Sequence, residues 1–215
     1  MTYVAWAALY EGWTDAAYFD VLIPRVMEDI ILNYGVRHSD IAEFPTVRLR
    51  RDPIDAVATE ACSRREGFHL VFFHADIGGR GQADNQQIHA SSFCRAMHQL
   101  CDWPKERCIP VLPRPETEAW ALADPTAVTT ALGYRGSPES VGLPANAAES
   151  ERVRDPKAIL GAAVAQVRGR RRSVDAEQLL PAIALRQRLR WLRDAPSFVQ
   201  FEGQLKAALA HLGCI

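Results

Sequence analysis

The chain has 215 residues, 48% of them hydrophobic and 24% charged, with a formal net charge of -1 at pH 7. This is ordinary globular usage, which excludes a disordered or low-complexity chain. At this length folding buries roughly 70% of the unfolded surface, so neither a disulfide framework nor a structural metal is needed. The small net charge conceals early acids and late arginines, and by itself argues neither for nor against nucleic acid.

The N-terminal run Tyr3–Tyr10 is apolar throughout and too short for an ordinary helix. It predicts a strand buried on both faces, as in a parallel sheet. Glu11 and Gly12 end it, and Thr14 is the expected cap of a helix that runs to Gly35. Val47 and Leu49 mark a second strand, and Pro53 opens a helix that carries Ile54, Val57, Ala61 and Cys62 on one face and ends near Gly67. His69–His74 reads as a third strand, followed by a polar glycine-rich loop from Asp76 to about Asp84. A helix carrying Ile88, Phe93, Met97 and Leu100 leads to a fourth strand at Cys108–Leu112, edge-like because of Pro110. A short helix then covers roughly Glu116 to Ala123.

This β-α-β-α-β-α-β-α order predicts an α/β fold, a mainly parallel sheet of about four strands flanked by helices. Residues 133–156 are rich in Gly, Pro, Ser and Ala and read as a loop-rich connector. Helical patterns at 157–168, 175–193 and 197–212 predict a C-terminal helical appendage, giving divisions at 1–132, 133–156 and 157–215.

The N-terminus lacks the basic region of a secretory signal, and no apolar run approaches the ~20 residues that cross a bilayer. Cys62, Cys94, Cys101, Cys108 and Cys214 form no CxxC pair and fit no zinc spacing. Reduced, buried thiols in a cytoplasmic protein without membrane contact are therefore expected.

In parallel α/β sheets ligands bind beyond the carboxyl ends of the strands. Glu11 and Asp15 follow the first strand, Asp76 the third, and Glu116 and Glu118 the fourth. Carboxylates gathered in one crevice repel one another, and Mg²⁺ or Mn²⁺ relieves that repulsion. Each acid has an ordinary alternative. Asp15 suits a first helical turn, and Asp76 suits a turn. Glu116 and Glu118, two apart, do not share a helical face, so one is expected in the site, with Glu116 favoured.

Glu11-Gly12-Trp13-Thr14-Asp15 after a hydrophobic strand resembles the first Toprim motif, in the form found in OLD-type nucleases and their relatives. Phe72-Phe73-His74-Ala75-Asp76 lies where Toprim proteins carry DxD. Pro115-Glu116-Thr117-Glu118-Ala119-Trp120-Ala121-Leu122-Ala123-Asp124-Pro125 resembles a block of a Toprim-like bacterial family. Asp155-Pro156-Lys157-Ala158 and Ser197-Phe198-Val199-Gln200-Phe201 are similar to later segments of that family. The resemblance implies a Toprim-like, Rossmann-like core and a metal-dependent phosphodiesterase site. Glu11 would serve acid/base work or metal binding, and Asp76 would be a metal ligand, with Glu116 nearby. His74 replaces the first aspartate of DxD, and a histidine suits Mn²⁺ better than Mg²⁺. The resemblance also implies DNA or RNA as substrate, and an ATPase partner in anti-phage defence. Self-association is left open.

Two basic features bear on nucleic acid. Gly78-Gly79-Arg80-Gly81 lacks P-loop spacing, but Arg80 could meet a phosphate. Arg168, Arg170, Arg171 and Arg172 form a basic run, extended by Arg186, Arg188, Arg190 and Arg193, that would attract phosphates without reading sequence. Two functions follow: a Mg²⁺- or Mn²⁺-dependent nuclease, or a non-catalytic subunit that docks on an ATPase or nucleic acid. The first βα turn lacks the GxGxxG glycines, which argues against dinucleotide binding.

Overall fold

The computed structural model describes residues 2–50, 53–76, 83–169 and 176–215, with backbone alone for 83–90, 176 and 177. Its centre is a four-stranded parallel sheet in the order β4-β2-β5-β6. The strands are β2 (Trp6–Leu9), β4 (Val47–Arg48), β5 (Leu70–His74) and β6 (Cys108–Val111). The expected parallel α/β sheet flanked by helices is thus present, and Pro110 lies on an edge strand as anticipated.

The N-terminal apolar run differs from its predicted single strand. It breaks at Ala5 into β1 (Thr2–Val4) and β2, and β1 pairs in parallel with β3 (Ser39–Ile41) as a separate two-stranded sheet. The break is held by hydrogen bonds. The Ala5 N–H donates to His69 Nδ1 at 2.9 Å, and the Ala5 carbonyl accepts from His69 N–H at 2.8 Å.

Helix α1 spans Trp13–Tyr34, capped by Gly12 rather than by Thr14. Its buried residues Tyr18, Leu22, Ile23, Val26, Met27 and Ile30 follow helical spacing and face the sheet. It stops at Gly35, whose N–H donates to the Ile31 carbonyl; a Cβ there would lie only 2.5 Å from that oxygen. Helices α2 (Ile54–Ser63) and α3 (Ala83–Cys101) cover the opposite face.

Alternation along the strands divides the core. Trp6, Ala8, Leu70, Phe72, Ile109 and Val111 face α1, while Ala7, Leu9, Val71 and Phe73 face α2 and α3. Short helices α4 (Thr117–Ala121) and α5 (Pro125–Leu132) follow β6, with α6 (Ala147–Ser150) inside the segment read as loop-rich. Helix α7 (Pro156–Arg168) leads on to α8 (Leu180–Arg186), α9 (Leu189–Leu192) and α10 (Pro196–His211); α8 and α9 divide the predicted 175–193 pattern in two.

These C-terminal helices join the α1-side core. Trp120 lies between Phe19, Phe198 and Phe201, with ring centroids 5.2–5.9 Å away. Gln187 ties the layers together. Its Oε1 accepts from Tyr18 Oη–H at 2.7 Å, and its Nε2 donates to the Trp120 carbonyl at 2.6 Å.

The cysteines correct the expectation of reduced thiols. Cys62 pairs with Cys101, and Cys94 with Cys108, at Cα separations of 5.9 and 5.7 Å; Cys214 is free and buried. The packing of α3 against α2 and β6 brings together residues whose sequence spacing suggested no partnership. Among the described residues, no helix is long and apolar enough to cross a membrane.

Candidate metal centre

The order β4-β2-β5-β6 reverses direction between β2 and β5: the chain builds outward to β4, then returns to start β5 on the other side. A crevice opens beyond the carboxyl ends of two such strands. Glu11 lies just beyond β2, His74 at the end of β5 and Asp76 two residues later. Two further elements close on the same crevice, the first turn of α1 and the loop from β6 into α4.

The first turn of α1 carries Asp15. Its Oδ2 accepts the Gly12 N–H at 2.9 Å, an acid reaching back to the cap from the third helical position. A Cβ on Gly12 would stand 3.1 Å from that oxygen, so a larger residue there would crowd the carboxylate. The other oxygen, Oδ1, accepts from Thr117 Oγ1–H at 2.7 Å.

His74 is 2% exposed, with its ring centroid 4.7 Å from that of Phe19. Its Nδ1 accepts the Glu11 N–H at 3.4 Å. Nε2 faces Thr117 Oγ1 at 3.1 Å and Asp76 Oδ1 at 3.3 Å. Asp76 Oδ1 also accepts the Thr117 N–H at 3.0 Å, and the Asp76 N–H donates to Glu11 Oε2 at 3.3 Å.

Thr117, completely buried, therefore touches Asp15, His74 and Asp76 together. Sequence reasoning passed over it because a threonine between two glutamates carries no chemical signature of its own.

Asp15, His74 and Asp76 offer ligand atoms that all lie within 4.8 Å of one another. Opposite ligands of a six-coordinate Mg²⁺ stand about 4.2 Å apart, so the three residues suit one ion after small inward movements. Two carboxylates suit Mg²⁺ or Mn²⁺, and the imidazole shifts the preference toward Mn²⁺. Of the expected ligands, Asp76 belongs to this group. Glu11 touches it through the Asp76 N–H, and Glu116 stands outside it.

The surrounding acids carry the signs of crowding. Burial raises the Asp15 carboxyl above its usual range, and Asp76 adds to this while His74 and Thr117 oppose it. Burial likewise raises Glu116, whose Oε1 accepts the Lys157 N–H at the start of α7 at 3.0 Å. Glu118 is buried and pushed up to about 7, first by desolvation and then by the charges of Glu116 and Asp76. Both glutamates thus feel Asp76 although they do not share a helical face.

The arginines divide differently. Arg80, Arg170, Arg171 and Arg172 lie outside the described residues, and Arg168 is a part-buried residue ending α7. Arg188 and Arg193, expected to extend a basic surface, are held internally. Arg188 makes a two-pronged pair with Asp124 at 2.7 and 2.8 Å, and Arg193 bridges Asp29 and Glu202.

No protein-family model, curated protein or solved structure matches the chain. The fold and the site by themselves define a parallel α/β protein with an Asp-His-Asp group at the sheet's switch point.

Proposed function

We propose that this protein is a metal-dependent phosphodiesterase acting on nucleic acid, with a Toprim-like site related to that of OLD-type nucleases. The observation that carries the reading is the convergence of Asp15, His74 and Asp76 at the switch point, within 4.8 Å of one another. The motif resemblance of EGWTD, HAD and the ETEAWALADP block, which contain these residues, also supports it.

Asp15, His74 and Asp76 would hold the divalent ion. When bound, such an ion supplies Lewis-acid polarisation of a phosphoryl oxygen. Asp15 contributes charge from within the protein, its carboxylate already fixed by Gly12 and Thr117. Glu11, part-exposed and joined to the Asp76 N–H, is the residue that the resemblance assigns to proton transfer. Phe19 excludes water from one side of His74 and holds the ring's orientation. An ATPase partner and a place in anti-phage defence rest on the resemblance alone.

One observation favours the second reading, a non-catalytic subunit docking on an ATPase or nucleic acid. Thr117 hydrogen-bonds Asp15, His74 and Asp76 and so ties the three together within the protein. Cleavage decides between them. Purified protein is incubated with single- and double-stranded DNA and RNA in Mn²⁺, Mg²⁺ or EDTA, beside Glu11→Ala and Asp76→Ala. The enzyme reading expects metal-dependent cleavage, strongest with Mn²⁺, that disappears in both folded variants. Cleavage that persists in both variants would overturn the site, and absence of cleavage by the protein alone would favour the binding subunit.

A further inference from the structure

Trp13 is 65% exposed although it is an indole at the first position of α1. It stands two residues from both Glu11 and Asp15, at the start of the helix whose first turn closes on the crevice. An exposed indole forgoes the burial that normally stabilises so large an apolar group. Its place beside the acidic site gives that surface a direction.

The sheet register adds charge on both sides. His74 pairs with Val111, and Arg50 lies two residues past the last β2–β4 pair, Ala8 with Arg48, at the carboxyl end of β4. The Leu49 N–H donates to the Ala8 carbonyl at 2.9 Å as the last bond of the β2–β4 ladder, and Arg50 follows directly after it. Arg50 thus lies past the carboxyl end of β4 at one edge of the sheet, and Arg114, three residues after Val111, past the carboxyl end of β6 at the other. Both are exposed. Among the described residues, ion pairs engage Arg48, Arg64, Arg65, Arg188 and Arg193, but neither Arg50 nor Arg114. The two edge strands stand roughly 14 Å apart, three strand spacings, with the Asp-His-Asp group between them.

We propose that Trp13 is a stacking platform for an unpaired base, and that Arg50 and Arg114 hold flanking phosphates of a single strand laid across the carboxyl edge of the sheet. The proposal rests on the phosphodiesterase reading above and names its substrate class. A strand along this path presents phosphates to guanidinium groups on either side and a phosphodiester to the acidic centre. Its base is free to stack on the indole, an interaction open to any base because every base has a π-face. In a duplex the base faces are already stacked on one another and cannot reach Trp13.

The test is fluorescence anisotropy of labelled single-stranded DNA, single-stranded RNA and duplex DNA, with the full chain in EDTA. Variants are Trp13→Ala, Trp13→Gln, Trp13→Phe, Arg50→Ala/Arg114→Ala and, as a control, Tyr34→Ala at the far end of α1. The expected result is a drop of roughly tenfold in single-strand affinity for Trp13→Ala and Trp13→Gln. Trp13→Phe retains most of the affinity, Tyr34→Ala retains all of it, and duplex binding is weak and unchanged. The double arginine variant lowers the salt-dependence slope by about 1.4, or ~0.7 for each phosphate that is no longer neutralised. The DNA and RNA arms distinguish the sugar.

Wild-type affinity in folded Trp13→Ala and Trp13→Gln would overturn the proposal and leave the indole to a protein partner. Absence of single-strand binding by the wild type, or an equal drop on duplex, would overturn it too. Binding is read without metal, so failure here leaves the metal centre standing, and failure of cleavage leaves this result standing.

Discussion

Thr117 Oγ1 donates to Asp15 Oδ1 at 2.7 Å, joining residues 102 positions apart in the chain. The same oxygen faces His74 Nε2, so one hydroxyl sets the spacing of an acid from the α1 turn and an imidazole from the end of β5. Thr117→Val keeps the shape and removes the donor. Leaving a buried carboxylate short of its partner costs about 1–3 kcal/mol. Urea unfolding should show that decrease, and Thr117→Ser should restore most of it. Equal stability of Thr117→Val and wild type would remove Thr117 from this role.

Asp124 and Arg188 form a second long-range pair, in the structural half of the same sequence block. Asp124 caps α5 through the Ala127 N–H and accepts three hydrogen bonds from Arg188. Burial opposes its charge, but these bonds outweigh burial and hold the carboxyl below its usual range. A depressed carboxyl contributes stability above its unfolded pKa of about 4 and loses it as pH falls through the folded value. Asp124→Asn should therefore cost about 3 kcal/mol at pH 7. The gap from wild type should narrow below about pH 4, as unfolding curves across pH will show.

Glu118 has the opposite sign. Its carboxyl is pushed up to about 7, so the native state holds a proton that the unfolded chain releases near pH 4. In EDTA its contribution to stability falls as pH rises from about 4 to about 7. Glu118→Gln should match wild type near pH 4 and exceed it in stability above pH 7. A constant difference across that range would contradict the assignment.

The two disulfides fasten α3 to α2 and to β6, closing loops with sequence separations of 39 and 14. Thiol titration of the unreduced, denatured chain should find one free thiol, that of Cys214. Reduction should lower stability by about 2–4 kcal/mol for each bridge removed. Five free thiols in protein purified without oxidation would contradict the pairing.

Much of the fold was legible because its signals are local. Buried strands such as Leu70–His74 and the apolar face of α1 are written in runs and periods. Pro53 and Gly35 marked boundaries, and Pro110 an edge strand, through the backbone geometry they allow. What escaped is set by distant partners. Ala5 breaks the first strand because His69 takes its backbone groups, and Cys62 meets Cys101 only after α2 and α3 pack. In the site, Asp15, His74 and Asp76 could be suspected from their places after strands. Thr117 could not, since its role exists only when three other elements converge on it. Arg188 and Arg193 read as basic surface because their acidic partners lie at least nine residues away, and in two cases more than sixty.

The functional reading stands most directly on the Asp15, His74 and Asp76 group as a cation site. The decisive measurement is calorimetric titration of Mn²⁺ into EDTA-stripped, dialysed protein, with wild type beside Asp76→Asn. One saturable site is expected in the wild type, with Mg²⁺ binding more weakly, and that site should disappear in the folded variant. No Mn²⁺ binding by the wild type, or equal binding by both proteins, would refute the metal centre.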